Sequence, residues 1–247
     1  MSNKIISLFS GAGGMDIGFH QAGFVTAVAV EQDSSCCATL RKNMSDTPII
    51  EGDITTLPTH AILAKAGLQP LEPALVVGGP PCQSFSLAGK RMGLDDPRGR
   101  LVLEFLRVVR EALPVAFVME NVKGMMNWEG GKALKAILDE ASQPITYQNQ
   151  IYQYQVSYQV LDAVDFGAPQ FRERIFIIGN RIGKSFTFPK PTHTAPANHQ
   201  ADLFTKHHQT WQSVWDGIGS LPNADEPSDT AMKVAGTIKG RIARHGY

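Results

Sequence analysis

The sequence predicts an α/β fold, a mostly parallel seven-stranded sheet with helices on both faces. Three observations predict it. Short apolar runs alternate with amphipathic stretches, a glycine-rich turn follows the first run, and acidic residues stand at the ends of the next two. Ile5–Phe9 reads as the first strand, Ser10–Gly14 as the turn, and the residues to Ala22 as a helix. Val25–Val30 is the second strand and Ser34–Asn43 its helix; Pro48–Ile50 begins a short third strand that ends at Asp53. Ala74–Gly78 is the fourth strand, Arg100–Ala112 a helix, Val115–Glu120 the fifth strand and Gly131–Ala141 another helix. Val156–Ala163 and Arg174–Gly179 close the sheet as a hairpin-like pair. Beyond Asn180, prolines, polar residues and Trp211 and Trp215 suggest a loop-rich extension with one short helix. The expected organisation is one domain over residues 1–190 and an extension over 191–247.

A chain of 247 residues, 43% hydrophobic and 19% charged, is long enough for one large domain. No apolar run reaches the roughly 20 residues that span a bilayer, and the N-terminus lacks the form of a secretion signal. Three cysteines, two of them adjacent (Cys36 and Cys37), form neither a disulfide framework nor a spaced metal site, so no metal is expected. A cytoplasmic protein with reduced thiols is the expectation. Net charge is zero. From Arg172 onward there are ten Lys/Arg against six Asp/Glu, +4, which leaves −4 for the rest. Such a balance gives little unaided grip on a nucleic acid, and a +4 stretch can equally be a solvated surface.

Strand, glycine turn, helix is the frame that gives Phe9-Ser10-Gly11-Ala12-Gly13-Gly14 a meaning. Glycines let the backbone turn sharply and approach a ligand at the positive end of the next helix. The second strand ends in Glu31-Gln32-Asp33, about where a carboxylate holds a ribose diol in nucleotide-binding sheets. Asp53, in Gly52-Asp53-Ile54, stands at the following strand end, where an adenine amino group could be bound. Alone, Glu31 or Asp53 is more often a helix cap, and Phe9 either stacks on adenine or packs in the core. Three such features at successive strand ends point to an adenosine with a small polar tail, and S-adenosylmethionine fits.

Gly78-Gly79-Pro80-Pro81-Cys82-Gln83-Ser84-Phe85-Ser86 follows the fourth strand, at the carboxyl edge where open sheets carry their sites. Paired glycines then paired prolines give freedom at the base of the turn and rigidity before Cys82. A thiolate there is a strong soft nucleophile, whereas Cys36 and Cys37, on a helix, read as small buried hydrophobes. Glu120, at the end of the fifth strand, faces the same crevice if the fourth and fifth strands are neighbours. A carboxyl in such a site can donate a proton to a ring nitrogen while the thiolate attacks the ring.

These segments, with Glu120-Asn121-Val122 and Gln170-Phe171-Arg172-Glu173-Arg174, resemble the ordered motifs of the DNA (cytosine-5) methyltransferases over about the first three-quarters of the chain. The resemblance implies a Rossmann-like, S-adenosylmethionine-dependent methyltransferase fold. It implies that Cys82 adds to C6 of a flipped-out cytosine and that Glu120 protonates or hydrogen-bonds N3. Arg172 and Arg174 would contact the flipped nucleotide. The expected cofactor contacts are Phe9, Ser10, Gly11, Gly13, Gly14, Glu31, Gln32, Asp53, Ile54 and Pro80.

Two features depart from the family pattern. Gln32 stands where many members place an aromatic residue against adenine. No target-recognition region and neither closing motif follows Arg174. The likeness is therefore to the larger, catalytic subunit of a two-polypeptide enzyme acting on double-stranded DNA, as in a restriction-modification system, with a smaller polypeptide supplying the rest. RNA cytosine-5 methylation and a non-catalytic DNA-binding paralogue are the alternatives. A nicotinamide dehydrogenase would use the same sheet, but gives Pro80–Ser86 and Gln170–Arg174 no purpose.

Overall fold

The computed structural model describes residues 2–81, 100–195 and 209–220. Strand β1 (Lys4–Leu8) is followed by α1 (Gly14–Gln21), β2 (Val25–Glu31), α2 (Ser34–Asn43) and β3 (Ile49–Glu51). A 3-10 turn over Ile54–Thr56 leads to α3 (Thr59–Ala66), β4 (Leu75–Gly78), α4 (Arg100–Ala112), β5 (Ala116–Val122) and α5 (Lys132–Ala141). A small hairpin, β6 (Ile145–Tyr147) and β7 (Gln150–Tyr152), precedes the long strands β8 (Gln155–Asp162) and β9 (Glu173–Asn180). Beyond them lie β10 (His193–Thr194), β11 (Gln209–Thr210) and α6 (Val214–Ile218).

Seven strands form one sheet in the order β3-β2-β1-β4-β5-β9-β8. The first five pair in parallel, and β9 runs antiparallel to both β5 and β8. From β1 the chain winds outward to β3, then returns to lay β4 on the other flank of β1. That reversal makes the carboxyl ends of β1 and β4 the switch point of the sheet, where a crevice must open. The glycine turn leaves β1 and the Gly-Gly-Pro-Pro loop leaves β4, so both predicted segments meet there.

One face of the sheet carries α3, α4 and α5. Helix α4 buries Val102, Phe105, Leu106, Val109 and Ala112, an apolar stripe at helical spacing that packs with α3 and α5 on Ile6, Leu8, Val28, Val30, Val76, Phe117 and Met119. Phe105 is wholly buried against Phe117, and truncating such a ring to alanine costs about 3–5 kcal/mol. On the other face, α1 and α2 cover only the β1–β3 half: Leu40 and Met44 of α2 pack on Ala29. Among the described residues no helix covers the β4-β5-β9 half of that face. Strand β5 accordingly alternates, with Phe117, Met119 and Asn121 buried and Ala116, Val118, Glu120 and Val122 only partly so.

Two elements have weak sequence signals. Helix α3 is eight residues long, entered from Pro58 and ended by Gly67 in a left-handed turn. The β6–β7 hairpin turns through Gln148 and Asn149, both at positive φ without glycine. Asn-Gly, the residue pair that usually marks such turns, is absent.

Candidate active site

The turn after β1 is built around a strained residue. Phe9 adopts φ 52°, a left-handed conformation uncommon for a bulky side chain. Its ring packs against the core and also walls a cavity of about 240 Å³, together with Glu31, Gln32, Ile54, Gly79 and Pro81. Phe9 thus packs against the core with one side and faces the cavity with the other. Ser10 lies behind the turn, its hydroxyl donating to the carbonyls of Ser7 (3.2 Å) and Val30 (3.4 Å). Gly13 sits at φ 88° with Leu40 so near that a Cβ would lie 2.9 Å from it, and Gly14 begins α1. Among the described residues nothing stands within 4 Å of where a Gly11 Cβ would be, so the turn offers bare backbone to them.

Glu31 ties this turn to the end of β2. One carboxylate oxygen accepts from the Gly11 N–H at 2.7 Å, and the other from Gln32 and Asp33 N–H at 2.8 and 2.9 Å. Three of its roughly four acceptor positions are thus committed, and it pre-shapes the cavity wall. Gln32 is exposed and lines the same cavity. Asp53 caps the 3-10 turn through Thr55 N–H at 2.9 Å, and Ile54 is buried with one side on the cavity. The cap that sequence offered as the plainer role of Asp53 is present. Asp33, not Glu31, caps α2, accepting from Cys36 N–H.

On the β4 side, Gly78 has no room for a side chain, since a Cβ would lie 2.3 Å from the Leu8 carbonyl oxygen. A Cβ on Gly79 would meet a Glu120 carboxylate oxygen at 3.0 Å. The paired glycines let β4 lie close to β1 and bring the loop onto Glu120. Pro80 is buried and its carbonyl accepts from the Asn121 side-chain amide at 3.1 Å, while Pro81 faces the cavity. Cys82 lies outside the described residues. Cys37 is buried, as expected of a small hydrophobe, whereas Cys36 at the start of α2 is only partly so; desolvation pushes both thiols above their ordinary range, away from the reactive thiolate.

Glu120 and Arg174 meet across neighbouring strands. The register pairs Glu120 with Phe176 and Val122 with Arg174, so the two charged residues are diagonal neighbours on the open face. The Arg174 Nε donates to a Glu120 oxygen at 2.8 Å, with each side chain about a fifth exposed. With Arg172, Phe166, Ala168 and Met15 they line a second cavity, of about 530 Å³. Arg172 is exposed, and its backbone N–H donates to Asp162 at 2.7 Å.

Three contributors carried too little signal to be singled out from sequence. Asn121 anchors Pro80, as described. Arg107 of α4 donates to the carbonyls of Ile54 (3.1 Å) and Leu57 (3.0 Å) and to the Thr59 hydroxyl (2.9 Å), clamping the turn that carries Asp53. Asp16 is wholly buried beneath the glycine turn and accepts from the Ser7 and Thr26 hydroxyls at 3.0 and 2.9 Å. Burial raises its carboxyl above the ordinary range, opposed by those two hydroxyls. Asp16 stands two residues past the glycines on a helix, where an acid reads as an ordinary first-turn residue.

The family model described as C-5 cytosine-specific DNA methylase matches residues 3–245. The chain belongs to that family. It is 68% identical to the type II methyltransferase M.AquIA of Picosynechococcus sp., covering 100% of each chain. It is 40% identical to the type II methyltransferase M1.HphI of Haemophilus parahaemolyticus over 92% of its own length, but spans only 56% of that relative. Among solved structures it resembles a protein described as a prophage-encoded DNA modification methyltransferase from E. coli, with TM-score 0.66 and 27% identity, covering 90% of this chain and 56% of that one. Members of this family use S-adenosylmethionine, and the cavity at the β1 and β2 ends combines glycine backbone, an apolar wall from Phe9, Ile54 and Leu101, and the Glu31 carboxylate. Among the described residues no helix is long and apolar enough to cross a membrane, and no cluster could hold a metal ion.

Proposed function

We propose that this chain is the catalytic polypeptide of a type II DNA (cytosine-5) methyltransferase, completed by a second, smaller polypeptide that carries target recognition. The observation that carries this reading is the Glu120–Arg174 pair on the wall of the 530 Å³ cavity, with the Gly79–Pro80 lead-in to Cys82 against it. A cytosine must leave the duplex stack to reach such a site. The Cys82 thiolate adds to C6, forming a C–S bond, while Glu120, its oxygen not held by Arg174 having taken a proton from solvent, passes that proton to N3, so the ring's electrons collect at C5. S-adenosylmethionine, when bound, supplies an electrophilic methyl group to that carbon. Loss of the C5 proton to solvent then expels the Cys82 thiolate, returns the N3 proton and restores the aromatic ring. Arg174 holds the Glu120 carboxyl in place and, with Arg172, offers donors to the base carbonyl and its phosphate. Phe9, Gln32, Glu31, Asp53, Ile54, Pro80 and the turn from Ser10 to Gly14 are assigned to the cofactor side.

A second polypeptide is supported by the open half of the sheet. Leu75, Ala116, Val118, Phe176 and Ile178 floor an apolar groove of about 590 Å³. Phe19 and Phe24 rim one side and Ile182, Phe186 and Phe188 the other. An apolar surface of this kind is a docking face or an aggregation liability.

The test is direct. The purified chain, alone and with the smaller polypeptide, is incubated with labelled S-adenosylmethionine and either duplex DNA or tRNA. Label on C5 of cytosine in DNA, only with both polypeptides, is the expected result. Label on tRNA, or full sequence-specific DNA labelling by the chain alone, overturns the corresponding part of the reading.

A further inference from the structure

The loop that joins β8 to β9, residues 163–172, forms one wall of the cavity that contains Glu120 and Arg174. It contributes Ala163, Phe166, Ala168 and Arg172. Its neck is closed from within: Asp162 accepts from Arg172 N–H, and Ala163 N–H donates to the Arg172 carbonyl at 3.2 Å. Its outer side, however, is held by a distant part of the chain. The Trp211 indole N–H donates to Asp165 at 3.1 Å, and its ring meets Phe171 edge-on at 5.3 Å. Trp211 N–H in turn donates to the Thr194 carbonyl, and Thr192 N–H to the Asp165 carbonyl, both at 2.9 Å. Beneath the loop, Gly167 at φ 92° lies on the His193 imidazole so closely that a Cβ would come within 2.8 Å of the ring. Gly217 of α6 lies equally close to Pro169.

We infer that Trp211 is a positioning residue: it straps the 163–172 loop from outside and so fixes where Arg172 and the cavity wall stand relative to Glu120. Phe171, the residue directly before Arg172, is 73% exposed despite its ring contact. Burial therefore does not hold this part of the loop, and the indole's two contacts, one to Asp165 and one to Phe171, grip it at points six residues apart. Without the indole the outer side keeps, among the described residues, the Thr192 hydrogen bond and the packing of His193 and Gly217, none of which touches Phe171 or Arg172, and a displacement of about 1 Å at a reacting group can cost on the order of a hundredfold in rate. Trp211 touches neither cavity and acts through the loop.

This inference rests on the methyl-transfer reading, and its test separates the two. In the assembled, active enzyme, Trp211→Ala is expected to lower kcat at least tenfold while leaving the Kd for S-adenosylmethionine within twofold. Trp211→Phe, which keeps a ring against Phe171, should recover part of that loss. Asp165→Ala combined with Trp211→Ala should be no worse than Trp211→Ala alone, because both remove the same strap. In the purified chain, amide hydrogen exchange at Gly167, Ala168 and Arg172 should accelerate in Trp211→Ala and stay unchanged in β1 and β4. A Trp211→Ala enzyme with kcat within twofold of the unaltered one, or one whose cofactor affinity falls in step with kcat, overturns the positioning role. If the unaltered enzyme labels no cytosine, the functional reading is what has failed, and the exchange measurement alone decides whether the strap exists.

Discussion

Arg174 Nε lies 2.8 Å from a Glu120 oxygen, an ion pair made across two antiparallel strands and only about a fifth exposed. Glu120→Gln keeps the shape but cannot deliver a proton, so methyl transfer at saturating cofactor should fall by about 10²–10⁴-fold, the usual contribution of a positioned acid. Cofactor affinity should stay within twofold. Arg174→Lys should also be impaired, because a point charge does not reproduce the planar donor fork. Single-turnover rates check both, and a Glu120→Gln enzyme at full rate would remove Glu120 from the chemistry.

Cys82→Ser should abolish transfer and leave cofactor binding intact, whereas Cys36→Ser and Cys37→Ser remain active. The two helix thiols are pushed up by burial, so a thiol reagent at neutral pH should modify them slowly. A duplex containing 5-fluorocytosine should give a mass increase on the Cys82 peptide. An adduct on Cys36 or Cys37 instead would sink the assignment.

Cofactor binding should weaken in both Glu31→Ala and Asp53→Ala, by about 1–3 kcal/mol, the scale of losing hydrogen bonds to a charged group. The Glu31 variant should be the worse of the two, because its carboxylate also shapes the wall by accepting three backbone N–H groups. Calorimetry with S-adenosylmethionine measures this. Unchanged affinity in both variants would mean the adenosine binds elsewhere.

The order of the sheet's elements and the turns that meet at its switch point were legible in the sequence; what each residue there does was not, and the limits are instructive. Gly78 and Gly79 announced themselves because close backbone approach leaves glycine no substitute. Glu31 stood out because an acid at a strand end is conspicuous, although its main observed partners are backbone amides rather than solvent. Helix α4 was expected near Arg100–Ala112, and its end at Ala112 agrees. Asp16, Asn121, Arg107 and Trp211 were not legible, because each acts on a segment distant in sequence and no local pattern encodes such a partner. The hairpin at Gln148–Asn149 was hidden for the opposite reason, a local turn made without its usual residues.

Asp16 gives the stability a pH dependence of known sign. Its carboxyl titrates above its ordinary value in the folded chain, so ionising it favours unfolding. Its stabilising contribution is complete below the unfolded pKa of about 3.8 and is lost as pH rises through the folded value. Asp16→Asn removes this trend. The unaltered chain should lose stability relative to Asp16→Asn as pH climbs from about 4, by about 1.4 kcal/mol for each pH unit between the two titrations. Urea midpoints at several pH values read this out, and a pH-independent difference would contradict the assignment.

The apolar groove gives a test of the partner. Ile182 and Phe186 are 52% and 41% exposed, so Ile182→Asp and Phe186→Asp should leave the chain folded. Each should abolish the rise in Tm that the smaller polypeptide produces by binding only the native state. Thermal melts with and without that polypeptide measure the effect, and an undiminished rise would place the docking face elsewhere.

The switch point has a further consequence. The glycine turn and the Gly-Gly-Pro-Pro loop spring from strands that lie side by side, with Gly78 against the Leu8 carbonyl. The ruler between them is therefore the spacing of hydrogen-bonded strands, about 4.8 Å, and every peptide unit supplies it whatever its side chain. Substitutions in the helices or the core leave that gap as it is, whereas a side chain at Gly78, where two backbones press together, would have to force the strands apart.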